Sequence, residues 1–129
     1  MPSPGTTNLP SLLATMQPTL EPTTYLFSTL NSSSSSSETA LLSALAPHLP
    51  KIEMLFRERE GWTLIAPSTT LSALGPSLVK ETAFPCRKIT LGVHSSLDAV
   101  GFMAAVTARL AQAGGMGVNP VSGFYHDHL

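Results

Sequence analysis

Residues 86–129 constrain the fold of this chain more than any other stretch, because they read as strand, helix and returning strand in quick succession. Over residues 87–94, Ile89, Leu91 and Val93 alternate with Lys88, Thr90 and His94, the period-two pattern of a half-buried strand. Ser95 with Asp98 three positions on predicts an N-terminal capping box for a helix over residues 97–113, and Gly114–Gly115 predicts its end. Residues 118–125 then read as a strand bent or edged by Pro120. The predicted helix is apolar over most of its circumference, its polar residues being Asp98, Thr107, Arg109 and Gln112. Val100, Met103, Thr107 and Leu110 form one face toward a sheet, while Phe102 and Val106 lie well round from it. Such a helix needs a second cover, from the first half of the chain or from another subunit.

The rest of the chain supplies short elements between strong punctuation. Residues 1–8 are rich in Pro, Ser, Thr and Gly and are expected to be disordered. Leu9, Leu12, Leu13 and Met16 have helical spacing, with Pro10 fixing where a helix can start. Pro18 and Pro22 enforce an extended path, and residues 25–30 read as a strand. The six serines at 32–37 have nothing to bury, so residues 31–37 are expected to form a mobile loop. Ser37 can cap a helix over residues 38–46, ended by Pro47 and Pro50. Residues 52–57 and 62–66 form a predicted hairpin whose turn uses a positive φ at Gly61. Ser68 is expected to cap a helix over residues 69–74 that Gly75 stops, and residues 77–85 read as a linker.

Composition excludes several classes of function. Net charge is −1, which offers no field for nucleic acid or for an acidic membrane. The first basic residue is Lys51, so a secretory or transit leader is not expected. No apolar run approaches the roughly 20 residues that span a bilayer. The lone Cys86 cannot form an intrachain disulfide, which makes a reducing, cytoplasmic location the expectation.

The segments ITLGVHSSLDAVGFMAAVTARLAQAG and VNPVSGFYHDHL resemble the second ACT domain of small bacterial and fungal proteins with paired ACT-like domains. These are related to the CASTOR-type arginine sensors and to the regulatory half of aspartokinases. Leu12–Met16 followed by Pro18, the Tyr25-Leu26-Phe27 strand and the run from Phe56 to Leu64 resemble the DUF2241-type N-terminal domain of the same proteins. The resemblance implies an α+β, ferredoxin-like fold: two βαββαβ ACT domains in tandem, each a four-stranded antiparallel sheet with two helices on one face. It places the first domain at residues 9–76 and the first half of a second at 86–129, with a strand, a helix and a last strand missing. It also implies that His126–Asp127 turns a hairpin and that His128–Leu129 begin the next strand.

The function so implied is non-enzymatic: regulatory binding of a small effector, an amino acid, by a homo-oligomer without cofactor or metal. The implied site lies between the first strand–helix loop and the start of the returning strand. Ser95, Ser96, Leu97 and Asp98 would offer a helix N-terminus to a carboxylate, and Val118 and Asn119 would hold an amino group. The bland alternative is that Ser95, Asp98 and Asn119 only cap local structure. A structural or oligomerisation module without a ligand is the rival reading. His126 and His128 could pair as imidazole ligands with His94 nearby, but no cysteine or second carboxylate is spaced to complete a metal site. No serine lies in G-x-S-x-G, and Gly114–Gly117 follows a helix where a phosphate loop precedes one, so no catalytic motif is present.

Overall fold

The computed structural model describes residues 7–31, 38–115 and 117–129. In chain order the elements are α1 (Leu9–Thr15), β1 (Pro18–Leu20), β2 (Tyr25–Leu30), α2 (Glu38–Leu45), β3 (Met54–Glu58), β4 (Gly61–Pro67), α3 (Ser68–Leu74), β5 (Val79–Cys86), β6 (Ile89–Leu91), α4 (Phe102–Gly114), β7 (Val121–Ser122) and β8 (Asp127–His128), with a 3-10 turn at Ala46–Lys51. The chain separates into two compact units, Pro22–Arg87 and Met1–Glu21 with Lys88–Leu129.

The Pro22–Arg87 unit is βαββαβ, with a four-stranded antiparallel sheet in the order β3-β4-β2-β5. In the unit's own strand sequence that order is second, third, first, fourth, the ferredoxin-like arrangement. Leu30, Leu64 and Ala66 from the sheet and Leu41, Leu45, Leu71 and Leu74 from α2 and α3 form one buried cluster, so both helices cover the same face. Ser28 is buried on that side, and its hydroxyl donates to the Leu64 carbonyl at 3.0 Å, which satisfies the polar group in place. The hairpin turns at Gly61, φ 143°, and α3 stops at Gly75, φ 79°, as the sequence predicts. Ser68 is the first residue of α3 and makes no cap; Pro67 holds the N-cap position. Residues 77–85, expected to be a linker, instead supply most of β5, which pairs with β2 from Val79 to Cys86 with two register shifts. Its six interior positions are all exposed, so no burial alternation marks it as a strand.

The other unit joins the start of the chain to its last 42 residues, with the sheet order β1-β6-β8-β7. Pro18, Thr19 and Leu20 lie opposite Leu91, Thr90 and Ile89. On the other side Thr90 faces His128, and Ile89 and Leu129 exchange both backbone hydrogen bonds at 2.8 and 2.9 Å. Taken as β6, α4, β7, β8, then α1 and β1, the elements occupy the same second, third, first, fourth order. Helix α1 and strand β1 from the chain's start take the second-helix and fourth-strand places in that order. These units divide the chain differently from the expected boundaries 9–76 and 86–129. Asn8, assigned by sequence to a disordered start, caps α1: its Oδ1 accepts from the Ser11 amide at 2.9 Å. The six serines lie outside the described residues, as do residues 1–6.

Leu12 of α1 is fully buried in a cluster with Leu91, Phe102 and Val106. This is the second cover that the apolar helix requires, supplied by the first half of the chain. The helix also turns differently from expectation: Phe102 and Val106 are its buried residues. Burying a side chain the size of leucine contributes about 1.5–3 kcal/mol, so α1 is an integral part of this core. Gly92 lets the segment after β1 come close, since its amide donates to the Gln17 carbonyl at 3.0 Å and an added Cβ would sit 2.4 Å from that oxygen.

Candidate functional site

The site predicted around Ser95–Asp98 begins where β6 ends. The alternation over residues 87–94 predicts a longer strand, but the ladder stops at Leu91. There the Val93 amide folds back to the Leu91 carbonyl at 2.8 Å and the Ser95 amide to the Val93 carbonyl at 3.1 Å. These two tight turns direct Ser95 inward. Its hydroxyl donates to Asp127 Oδ2 at 2.7 Å, and both residues are buried. Ser122 on β7 donates to the other carboxylate oxygen at 2.8 Å. Asp127 therefore ties the β6 loop to both strands of the β7–β8 hairpin.

The capping box does not form. Ser95 is committed to Asp127, Asp98 is exposed, and the Asp98 amide is held by Ser96 Oγ at 3.1 Å. Helix α4 starts five residues later than predicted, at Phe102. Its N-cap is Gly101 in the left-handed region, φ 84°, without a side-chain cap. Residues 96–101 thus form a loop before an uncapped helix N-terminus, whose first amides carry partial positive charge. Leu97 and Val100 in that loop are 65% and 84% exposed.

Val118 and Asn119 are not brought to this loop. The register runs from Val121 opposite His128 to Ser122 opposite Asp127, so β7 approaches the Ser95 level at its end. Val118 and Asn119 precede its start, at the other end of the sheet. The predicted strand over residues 118–125 shortens to Val121–Ser122, and Asp127–His128, expected to hold the hairpin turn and the next strand's start, are both strand residues. The turn is instead Gly123–His126, closed by the Gly123 amide on the His126 carbonyl at 2.9 Å.

Sequence reasoning did not single out the rings at that turn. Phe124 and Tyr125 are 53% and 56% exposed and meet edge to face at 5.3 Å. His94 lies 6.4 Å from the first and 6.0 Å from the second. The His94 Nε2 atom is buried and lacks a hydrogen-bond partner among the described residues. The adjacent aromatic pair in GFYH was the available signal.

His126 and His128 have ring centroids 6.5 Å apart, and His128 Nδ1 is 3.1 Å from the Thr90 hydroxyl. Among the described residues no group of three or more His, Cys, Asp and Glu side chains is placed to hold a metal ion. Cys86 is half-buried, and burial raises its thiol pKa, which removes the activation that neighbouring Arg87 and Lys88 could have offered. In the Pro22–Arg87 unit, a cleft of about 680 Å³ at one end of the sheet is lined by Glu58, Glu60, Trp62, Lys80 and Glu81 among others. The Arg57 guanidinium sits 4.4 Å from the centre of the Trp62 ring and is paired with Glu38.

The family model described as an ACT domain matches residues 4–87, well over half of the chain. The chain belongs to the ACT-domain family. The matched region contains the whole βαββαβ unit together with α1 and β1. Five solved chains match as well. One is a Vibrio cholerae protein, VC0802, described as a protein of unknown function and possible transport protein. It is 35% identical, with a TM-score of 0.66 over 91% of this chain and 78% of that one. No curated protein matches. ACT domains bind small effectors and regulate rather than catalyse. No helix among the described residues is long and apolar enough to cross a membrane.

Proposed function

We propose that this ACT-domain protein is a cytoplasmic, non-enzymatic regulator that binds a free amino acid at the loop between β6 and α4. The observation that carries the reading is the helix N-terminus itself: Gly101 leaves it without a side-chain cap, and Leu97 and Val100 stand exposed beside it. A ligand carboxylate would find unpaired amides and positive potential there, and Ser96 is placed to add a hydroxyl. The neighbouring apolar side chains would gain by being covered. Ser95 keeps the loop in place through Asp127 rather than touching the ligand. Val118 and Asn119, which precede β7, are left out of the site proposed here.

The same reading treats Pro22–Arg87 as one ACT domain and Met1–Glu21 with Lys88–Leu129 as a second, tandem ACT-like one of the DUF2241 and CASTOR-like kind. The signal would pass through contacts between copies of the chain.

The test is thermal unfolding against the twenty amino acids, followed by calorimetry on any that stabilise. A ligand of the native state raises the melting temperature by mass action. Val100→Asp places an anion at the helix N-terminus, where it favours the helix but repels a carboxylate. It should weaken binding roughly tenfold without lowering the stability of the unliganded protein. If no amino acid stabilises the protein at millimolar concentration, the regulatory reading fails and an interaction module without a ligand takes its place.

A further inference from the structure

We infer that His94, with Phe124 and Tyr125, selects the effector, and that the effector is an amino acid whose aromatic ring carries a hydrogen-bonding atom. This rests on the proposed amino-acid site and deepens it. A buried ring nitrogen without a partner costs about 1–3 kcal/mol, and such a group calls for an explanation in a folded protein. The His94 Nε2 atom is in that position. Its ring lies with two others, Phe124 and Tyr125, the three centroids 5.3 to 6.4 Å apart. Two of the three are more than half exposed, which is unusual for large apolar side chains placed side by side.

Those two rings stand on the four-residue turn Gly123–His126, between strands of only two residues each. The turn is anchored at its base by Ser122 and Ser95 on Asp127, which fixes the hairpin beside the β6 loop while leaving its tip held by few backbone bonds. Ligand access to Nε2 would require the tip to swing outward.

The loop that leads to the α4 N-terminus begins at Ser96, within about 7 Å of His94 along the backbone, and the ligand would span from the helix amides to the ring. Its carboxylate would take the helix amides, its ring would stack against Phe124 and Tyr125, and a ring hydroxyl or N–H would pair with Nε2. A plain hydrocarbon side chain would leave the nitrogen orphaned. A site whose polar group is satisfied by one ligand and stranded by another discriminates through that group.

The experiment is calorimetric titration of the full chain with tyrosine, tryptophan, phenylalanine, leucine and glutamate. Tyrosine or tryptophan should bind at least roughly tenfold more tightly than phenylalanine, and leucine and glutamate more weakly still. His94→Leu removes the nitrogen, so the preference for the polar ring over phenylalanine should collapse toward unity. Tyr125→Ala should weaken all the aromatic ligands together while keeping their order. Amino acids binding without aromatic preference, or a preference that survives His94→Leu, would overturn this inference and leave the amino-acid site standing. Binding of none of the five, where another amino acid stabilises the protein, overturns this inference alone. Absence of binding by any amino acid overturns both. If His94→Leu fails to fold, the ratio of tyrosine to phenylalanine affinity in the natural chain decides.

Discussion

Ser95 and Asp127 meet in a buried 2.7 Å hydrogen bond across 32 residues of sequence, and that contact sets where the β6 strand ends and where helix α4 can begin. With its hydroxyl drawn to the hairpin, Ser95 cannot cap a helix. The chain therefore runs on through an exposed loop to Gly101. The Ser122 hydroxyl on the second carboxylate oxygen makes Asp127 a two-sided clasp.

Asp127→Ala should leave two hydroxyls without their acceptor and destabilise the protein by about 2 kcal/mol, read as a lower urea midpoint. Ser122→Ala, on an exposed residue, should cost less than Ser95→Ala. Equal and negligible effects of all three would mean that the clasp does not hold the hairpin.

The partnership of α1 with the end of the chain is tested by Leu12→Ala. Leu12 is fully buried against Leu91, Phe102 and Val106. Truncating it should cost about 2–5 kcal/mol and should speed hydrogen exchange in β6 and α4 before β2 and β4. Loss of protection confined to residues 9–15 would contradict the pairing of β1 with β6.

Gly92→Ala probes the same junction without touching the core. Its new methyl would sit 2.4 Å from the Gln17 carbonyl oxygen, a backbone atom that cannot step aside. The strain should reach roughly 1–3 kcal/mol, and chemical unfolding should show it at once. A neutral substitution would mean that β1 is not held against the β6 end as described.

How much of this was legible in the sequence divides along the range of the interactions. Tyr25–Leu30, the hairpin at Gly61 and the stop at Gly75 are encoded within a few residues, and the structure has them where the pattern puts them. Strand β5 was not legible, because an edge strand with six consecutive exposed positions has no alternation to detect. The pairing of Leu20 with Ile89 was not legible either, since no local period reports a contact between distant segments. At the candidate site the capping box around Ser95 and Asp98 was locally sound and lost to a competing long-range acceptor, Asp127. The unpaired His94 nitrogen is purely three-dimensional, and only the neighbouring Phe124–Tyr125 pair hinted at it.

Cys86 gives a prediction about reactivity. Its thiol is half-buried and donates to the Tyr25 carbonyl at 3.6 Å, and burial raises its pKa. The thiolate is the reactive form, so alkylation at pH 7.5 should run roughly tenfold slower in the folded protein than in denaturant. The linked stability is present below the unfolded thiol's pKa and declines as pH rises through the higher folded value. Equal rates in the two states would place the thiol in solvent.

Acid offers the last test, at Glu38 and Arg57. The hydrogen bond from the Arg57 guanidinium, assisted by its charge, lowers the Glu38 pKa from its ordinary 4.5. A second bond, from the other guanidinium nitrogen at 3.1 Å, makes the pair two-pronged. A carboxylate whose pKa is lower in the folded state contributes stability above its unfolded pKa and loses it as pH falls through the folded value. Both side chains are well exposed, so the contribution is small and screened by salt. Glu38→Gln should therefore lower the melting temperature slightly at pH 7 in dilute buffer. The difference from the natural chain should narrow below pH 4.5 and in high salt. A difference that persists unchanged into strong acid would show that Glu38 stabilises α2 through packing rather than through its charge.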